Sequence, residues 1–322
     1  MEASGRGRDG DARRPLPVFD PDIELDFVPG GERTQPAARP PRRRPGGPRG
    51  RRPPRAPRRS ETAARVVWAL PWIAFALIVI AAGGIAFALA MIMLAAIGLN
   101  ELFDMASAMR PMRGVALLAA AGLALAAHFG DQYQMMIVTL ATFPLMFAIA
   151  ALRPSREGVT ASMAITTLGV AWIALPFAHA VLLRDLPAHG GALVIDVLVG
   201  TFLADTAAYA GGRIAGRRPL APRLSPNKTL EGLVAGFAGG TFAFWFAGLY
   251  QDWLSGVDAL IIGACVAATA PLGDLFCSLV KRDLRVKDTG RVFGPHGGLL
   301  DRLDAVLFTI VVGYYLCVAL VY

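Results

Sequence analysis

Between Asp274 and Asp304 the chain sets carboxylates, cations, a hydroxyl and glycines at short intervals. Asp274, Ser278 and Lys281 follow one another by four and then three residues, which puts them on one face of a helix. A carboxylate one turn before a hydroxyl, followed by an ammonium, can hold a hydrated cation beside a phosphate. The same spacing suits an Asp274–Lys281 ion pair with the serine bonded to the backbone, and Lys281-Arg282 marks a membrane boundary in any protein. Asp301 and Asp304, three apart, again share a face if helical. Hard divalent cations want oxygen ligands, and Mg²⁺ takes one or two carboxylates plus waters and substrate phosphates. Carboxylates in a first helical turn are equally favoured by the macrodipole. Lys287-Asp288 reads as a phosphate ligand beside a metal ligand, or as solvated loop charges. His296-Gly297-Gly298 offers backbone that can approach a phosphate closely, or an ordinary turn. Charged groups at membrane depth cost about 2.5–3.5 kcal/mol each on insertion scales, so this cluster points to function, namely metal-assisted chemistry on phosphates.

A second polar stretch runs through Asp205-Thr206-Ala207-Ala208-Tyr209, Gly211-Gly212-Arg213 and Leu224-Ser225-Pro226-Asn227-Lys228-Thr229-Leu230-Glu231-Gly232. Ser225 before Pro226 predicts an N-cap with proline at the first helical position. Free N–H groups there, with Lys228 and Arg223 nearby, suit a nucleotide phosphate; a basic loop and an ordinary capped helix are the plainer alternative. Asp205 lies near the end of its apolar run and can face the site. Asp196, nine residues earlier, falls on the opposite helix face and has no assigned role. His128, His179 and His189 are scattered without a metal-ligand spacing and read as structural.

The elements that must position these residues are apolar. The chain has 322 residues, 55% hydrophobic and 17% charged, with mean hydropathy +0.49, which fits an integral membrane protein. The net charge of +8 does not mean nucleic acid: sixteen of the 32 Lys and Arg precede residue 66, and most of the rest lie in short loops. Cys265, Cys277 and Cys317 sit in or beside apolar runs and suggest neither disulfides nor a cysteine metal site. Apolar runs near 65–82, 85–103, 112–129, 134–152, 159–183, 190–210, 230–249, 256–280 and 304–321 predict about nine spanning helices. With the N-terminus inside, fifteen Lys and Arg fall in inner loops and Arg184 alone in an outer one. Both long polar segments, 211–229 and 281–303, then emerge on the cytoplasmic side, where soluble nucleotides are available. No inverted repeat of the transporter kind stands out. Residues 1–62, rich in Arg, Pro and Gly, cannot bury enough apolar surface to fold and read as a disordered cytoplasmic tail, whose arginines also suit anionic headgroups. The first apolar run starts too late for a signal peptide. The expected architecture is an all-α integral membrane domain, 63–322, behind that tail.

The spacings of residues 278–304 resemble the phosphatidate cytidylyltransferase (CDP-diacylglycerol synthase) family. That pattern runs Ser, two residues, Lys-Arg, four residues, Lys-Asp, then a small residue, His-Gly-Gly and Asp-Arg-x-Asp. Ser278, Lys281, Arg282, Lys287, Asp288, Gly290, His296, Gly297, Gly298, Asp301, Arg302 and Asp304 fall in register, twelve positions within 27 residues. The stretch from Asp205 to Gly232 looks like the family's other polar segment. Family members often carry Pro-Gly-His where this chain has Gly294-Pro295-His296, and Trp where it has Leu230. The resemblance covers roughly residues 66–322. It implies transfer of a cytidylyl group from CTP to phosphatidic acid, giving CDP-diacylglycerol and pyrophosphate, at the cytoplasmic face of a bacterial plasma membrane. It further implies Mg²⁺ at Asp274, Asp288, Asp301 and Asp304, with a second cation left open. Lys281, Arg282, Lys287 and Arg302 would neutralise phosphates, with Ser278 and His296 positioning their oxygens. Asp205, Arg223, Ser225, Asn227, Lys228, Gly297 and Gly298 would contact substrate. The implied partners are CTP, phosphatidic acid and membrane lipids but no nucleic acid, with a homodimer left open. A CTP-dependent lipid kinase and a transporter are the rival readings.

Overall fold

Away from water, a long apolar stretch can satisfy its backbone groups only within itself, and each such stretch here is a helix. The computed structural model describes residues 61–290 and 297–322. Its helices are α1 (Glu61–Ala82), α2 (Gly84–Met105), α3 (Arg113–Phe129), α4 (Gln132–Ala151), α5 (Val159–Gly169), α6 (Leu175–Arg184), α7 (Gly190–Ala215), α8 (Leu230–Gly248), α9 (Gly256–Asp283) and α10 (Leu300–Leu320). One π-helical turn, Val170–Ala174, joins α5 to α6 in a continuous segment of 26 residues. Among the described residues, seven segments are long and apolar enough to cross a membrane: α2, α4, α5–α6, α7, α8, α9 and α10. The apolar part of α1, Pro71–Ala82, and α3 are shorter. The expected tail lies outside the described residues except at 61 and 62, which already belong to α1.

Three helices overrun their apolar stretches. The polar ends of α7 and α9 stay helical to Ala215 and Asp283, and α10 starts at Leu300 rather than 304. A helix adds one hydrogen bond per residue once begun, so its end is set by a cap more than by where apolar residues run out. The cap of α9 is explicit. Arg285 adopts a left-handed backbone (φ 56°), its N–H donates to Arg282 O at 3.1 Å, and Val286 N–H donates to Lys281 O at 2.9 Å. Those two hydrogen bonds close the helix at Asp283, on the carbonyls of the Lys281-Arg282 pair.

Small residues let α7, α8 and α9 approach closely, the packing expected where lipid gives no hydrophobic drive between helices. A Cβ on Gly240 would lie 2.8 Å from both Ala204 and Ala267, and one on Gly236 2.8 Å from Ala208. Polar pairs tie other parts together: Thr201 of α7 donates to Thr309 of α10 at 2.8 Å, and Gln251 Nε2, in the connection from α8 to α9, donates to both oxygens of Asp196 at 3.1 and 2.9 Å. The three histidines are occupied as structural groups. His128 pairs with Asp185 at 2.7 Å, His179 lies 2.8 Å from Leu175 O, and His189 stacks on Trp253 at 4.1 Å.

The connection from α7 to α8 contains an antiparallel ribbon of β1 (Pro219–Ala221) and β2 (Ser225–Thr229), pairing Pro219 with Thr229 and Ala221 with Ser225. Ser225 is therefore not the N-cap expected from Ser225-Pro226. The cap of α8 is Thr229, whose Oγ1 accepts from Gly232 N–H at 3.1 Å. Pro226 is tolerated because a two-stranded ribbon has an open edge that requires no donor. Glu231 Oε2 secures the ribbon's approach by accepting from Arg217 N–H at 3.0 Å and Arg218 N–H at 3.2 Å.

Candidate active site

Asp274, Ser278 and Lys281 lie on one helix, α9, as their spacing predicts. They do not bond among themselves. Lys281 Nζ donates to Asp301 Oδ1 at 2.7 Å across to α10, and Asp274 pairs with Lys228 from β2. The two polar segments therefore meet: the ribbon after α7 delivers Lys228 to the face of α9 that carries Asp274. Both ion pairs are part-buried, so each cation is held against its partner rather than dispersed in solvent.

Asp301 is the most heavily bonded carboxylate of the cluster. Besides Lys281 on Oδ1, its Oδ2 accepts from Thr289 N–H at 2.9 Å, Gly298 N–H at 3.1 Å and the Thr289 hydroxyl at 3.1 Å. Asp304, one turn on, accepts from Ala305 N–H at 2.9 Å and forms no other hydrogen bond among the described residues. Close backbone contact between α9 and α10 fixes its depth, since a Cβ on Gly273 would lie 2.3 Å from Asp304 O. From α7, Asp205 joins the group: the charges of Asp205, Asp274 and Asp304 act on one another, with Lys228 and Lys281 as opposing charges. Three helices and one ribbon thus place three carboxylates around two lysines.

Among the described residues no three carboxylate, histidine or cysteine groups converge closely enough to hold a metal unaided. The donor chemistry nevertheless fits a hard divalent cation, because Mg²⁺ commonly completes its shell with water and substrate phosphate around one or two carboxylates. Asp304 retains lone pairs for that purpose, and Asp274 and Asp205 add oxygen donors. Asp301, expected among the metal ligands, has Oδ2 filled and Oδ1 shared with Lys281.

The remaining expected residues are placed as follows. Ser278 is half-buried on α9, and Ser225 half-buried on β2. Arg223, Asn227, Arg282, Lys287 and Asp288 are exposed, while Arg302 is exposed in the first turn of α10. Gly297 and Gly298 are buried, and Gly297 takes φ +90°, a left-handed value that glycine adopts freely. His296 lies outside the described residues. The sequence reading missed two groups. Glu101 of α2 and Thr289, both buried, touch the loop and the start of α10. The only signal for Glu101 was a carboxylate inside an apolar run, which is costly without partners.

The fold and site define a class: a helical integral membrane protein with paired lysines and clustered carboxylates at the junction of three helices. The sequence model of the cytidylyltransferase family matches residues 63–320, and the chain belongs to that family. It is similar to the phosphatidate cytidylyltransferase of Thermotoga maritima, 32% identical over 203 residues that cover 55% of this chain and 75% of that protein. The Mycobacterium leprae phosphatidate cytidylyltransferase is 36% identical over 149 residues, 46% of this chain and 47% of its own length. The Escherichia coli protein named uncharacterized protein YnbB is 40% identical over 150 residues, 45% of this chain and 50% of that protein. The chain thus spans about half the length of the first two of these relatives by identity, YnbB and the Mycobacterium leprae enzyme.

Proposed function

We propose that the protein transfers the cytidylyl group of CTP to phosphatidic acid, giving CDP-diacylglycerol and pyrophosphate. The observation that carries the reading is the meeting of the two polar segments through Lys228 and Asp274, beside the Lys281–Asp301 pair, inside the region matched to the cytidylyltransferase family. Relatives named phosphatidate cytidylyltransferase supply the substrates.

In the reaction a phosphate oxygen of phosphatidic acid attacks the α-phosphorus of CTP. A P–O bond forms there, the bond to the oxygen bridging α- and β-phosphorus breaks, and pyrophosphate leaves with that oxygen and its electron pair. Both reactants are anions, so neutralising their charge is the main task of the site. Lys281 and Lys228, paired with carboxylates of the cluster, would do so, with the exposed Arg282, Lys287 and Arg302 as further cations. Ser278, one turn before Lys281, would donate to a phosphate oxygen, and His296 would position another, as the sequence pattern implies. Arg223, Ser225 and Asn227, on or beside the ribbon, would contact the nucleotide, while Gly297 and Gly298, buried with the Gly298 N–H already given to Asp301 Oδ2, would shape the turn into α10.

Asp274 and Asp304 would hold Mg²⁺, with Asp205, Asp288 and Asp301 as further oxygen donors; when bound, the ion supplies charge neutralisation at the phosphates. A second cation would use the same carboxylates. All nine apolar helical segments cross the membrane in this reading, with the N-terminus and the site on the cytoplasmic side of a bacterial plasma membrane, consistent with the fifteen-to-one distribution of loop cations. The acyl chains stay in the bilayer while the headgroup enters between helices. A homodimer is compatible with this arrangement.

The test uses full-length protein in detergent with phosphatidic acid, Mg²⁺ and CTP labelled on the α-phosphate. Label should enter the lipid fraction, and D304N should reduce its transfer by about 100-fold or more. With a polyprenyl alcohol also present, lipid labelled only from γ-labelled CTP would replace the proposal with kinase chemistry, and no lipid label from either would reject both.

A further inference from the structure

Glu101 is a carboxylate that the proposed chemistry does not use. It sits in α2 with 5% of its surface exposed, and each contact employs it as an acceptor. Leu299 N–H donates to Oε1 at 2.7 Å, Leu300 N–H to Oε2 at 3.0 Å, and the Thr289 hydroxyl lies 3.0 Å from Oε2. The two N–H groups belong to the start of α10, where backbone donors have no partner within the helix. Leu299, at the N-cap position, offers no side-chain cap, so a carboxylate from another helix performs that role. The neighbouring glycines are steric requirements of the same arrangement. A Cβ on Gly290 would lie 2.6 Å from Glu101 Oε1, and one on Gly298 2.4 Å from Oε2 and 2.2 Å from Thr289 Oγ1.

Thr289 completes the connection. It is 3% exposed, and its hydroxyl lies 3.0 Å from Glu101 Oε2 and 3.1 Å from Asp301 Oδ2. A hydroxyl has one proton, so it donates to one carboxylate at a time while holding both at a fixed separation. Since Asp301 Oδ1 pairs with Lys281, an unbroken series of contacts runs from Glu101 through Thr289 and Asp301 to Lys281.

We propose that Glu101 and Thr289 are positioning residues for the transfer reaction, fixing the segment that enters α10, and with it the Asp301 carboxylate, against the Lys281 ammonium. The inference rests on the cytidylyl-transfer reading for its kinetic consequence but not for its structural one. Val in place of Thr289 keeps the shape and removes the hydroxyl; Ser keeps the hydroxyl. Gln in place of Glu101 sets an NH₂ group against one of the donors that the carboxylate now accepts.

The experiment compares full-length wild type, T289V, T289S and E101Q in detergent, by hydrogen exchange and by steady-state transfer of α-label from CTP. T289V and E101Q should accelerate amide exchange at 289 and 297–300 while leaving α4 and α8 unchanged. Their kcat should fall about 10- to 100-fold, the usual effect of losing a group that orients a site residue, with KM for CTP nearly constant. T289S should restore both. Wild-type exchange in T289V and E101Q overturns the bridge. Faster exchange with unaltered kcat, or faster exchange throughout the protein, overturns the positioning role. A wild type that transfers no cytidylyl group defeats the functional reading alone, and the exchange data still decide the bridge.

Discussion

Lys228 and Lys281 each have more than one carboxylate within electrostatic reach, and the structure commits each to one: Lys228 to Asp274 and Lys281 to Asp301. The commitment crosses elements, so each ion pair also locks one element onto another. Removing one partner of a part-buried pair leaves the other charge uncompensated, and the loss exceeds what an exposed pair would show. K228M should lower the rate of cytidylyl transfer about 10- to 100-fold, and D274N should do the same. Because the residues act as a unit, the double variant should be only slightly worse than either single one; multiplying effects would show that they act independently. Steady-state kinetics of the four proteins reads this directly. That Asp274, Lys281 and Asp301 belong to one polar cluster was legible in spacing and residue type, but their pairing was not. Asp274 and Lys281 are seven apart on one helix, and only the fold shows that each turns to a partner on a different element. Glu101 was hidden for the same reason, since its donors stand 188 to 199 residues away in the chain.

Helices α7, α8 and α9 carry Asp205, cap the ribbon and carry Asp274, so their mutual spacing sets the distances within the site. That spacing depends on glycine facing alanine. A Cβ at Gly240 has alanine methyls 2.8 Å away on two sides, from Ala204 and Ala267, and no flexible side chain is there to yield. G240V should therefore cost about 1–3 kcal/mol through overpacking, measured as a lower unfolding temperature in detergent, with transfer activity falling as α7 and α9 part. An unchanged unfolding temperature would mean that the helices separate freely and do not gauge the site. The existence of these helices followed from apolar runs long enough to span. Their ends did not, because polar residues such as Arg213 and Lys281 can continue a helix that has already started. The ribbon was illegible for a different reason. Ser-Pro is compatible with a helix start and with an edge strand, and the choice is made by Glu231 holding the backbone of Arg217 and Arg218, a contact thirteen and fourteen residues long.

For the molecule as a whole, the question is whether the nine apolar helical segments all cross. Seven are long enough without argument, whereas α3 has 17 residues, which rise about 26 Å against a hydrocarbon core of about 30 Å. Alternating connections argue that it crosses. Arg110 and Arg113 stand at its start and none follows its end, the asymmetry expected of a segment with its first end in the cytoplasm. The start of α3 also sits beside that of α5, where Met112 N–H donates to Thr166 at 2.9 Å and Ser162 donates to Arg110 O at 2.5 Å. A helix anchored there and crossing beside α4 would deliver Phe129 to the opposite face. Cysteine accessibility decides it: in a background with Cys265 replaced by Ala, and with Cys277 and Cys317 left buried, S107C and F129C each provide one exposed thiol. An impermeant maleimide applied to intact spheroplasts should label F129C but not S107C, and S107C should react only after permeabilisation. Labelling of both from the same side would show that α3 returns without crossing; the loops before it would have to be reversed if that side is outer, and the loops after it if that side is inner.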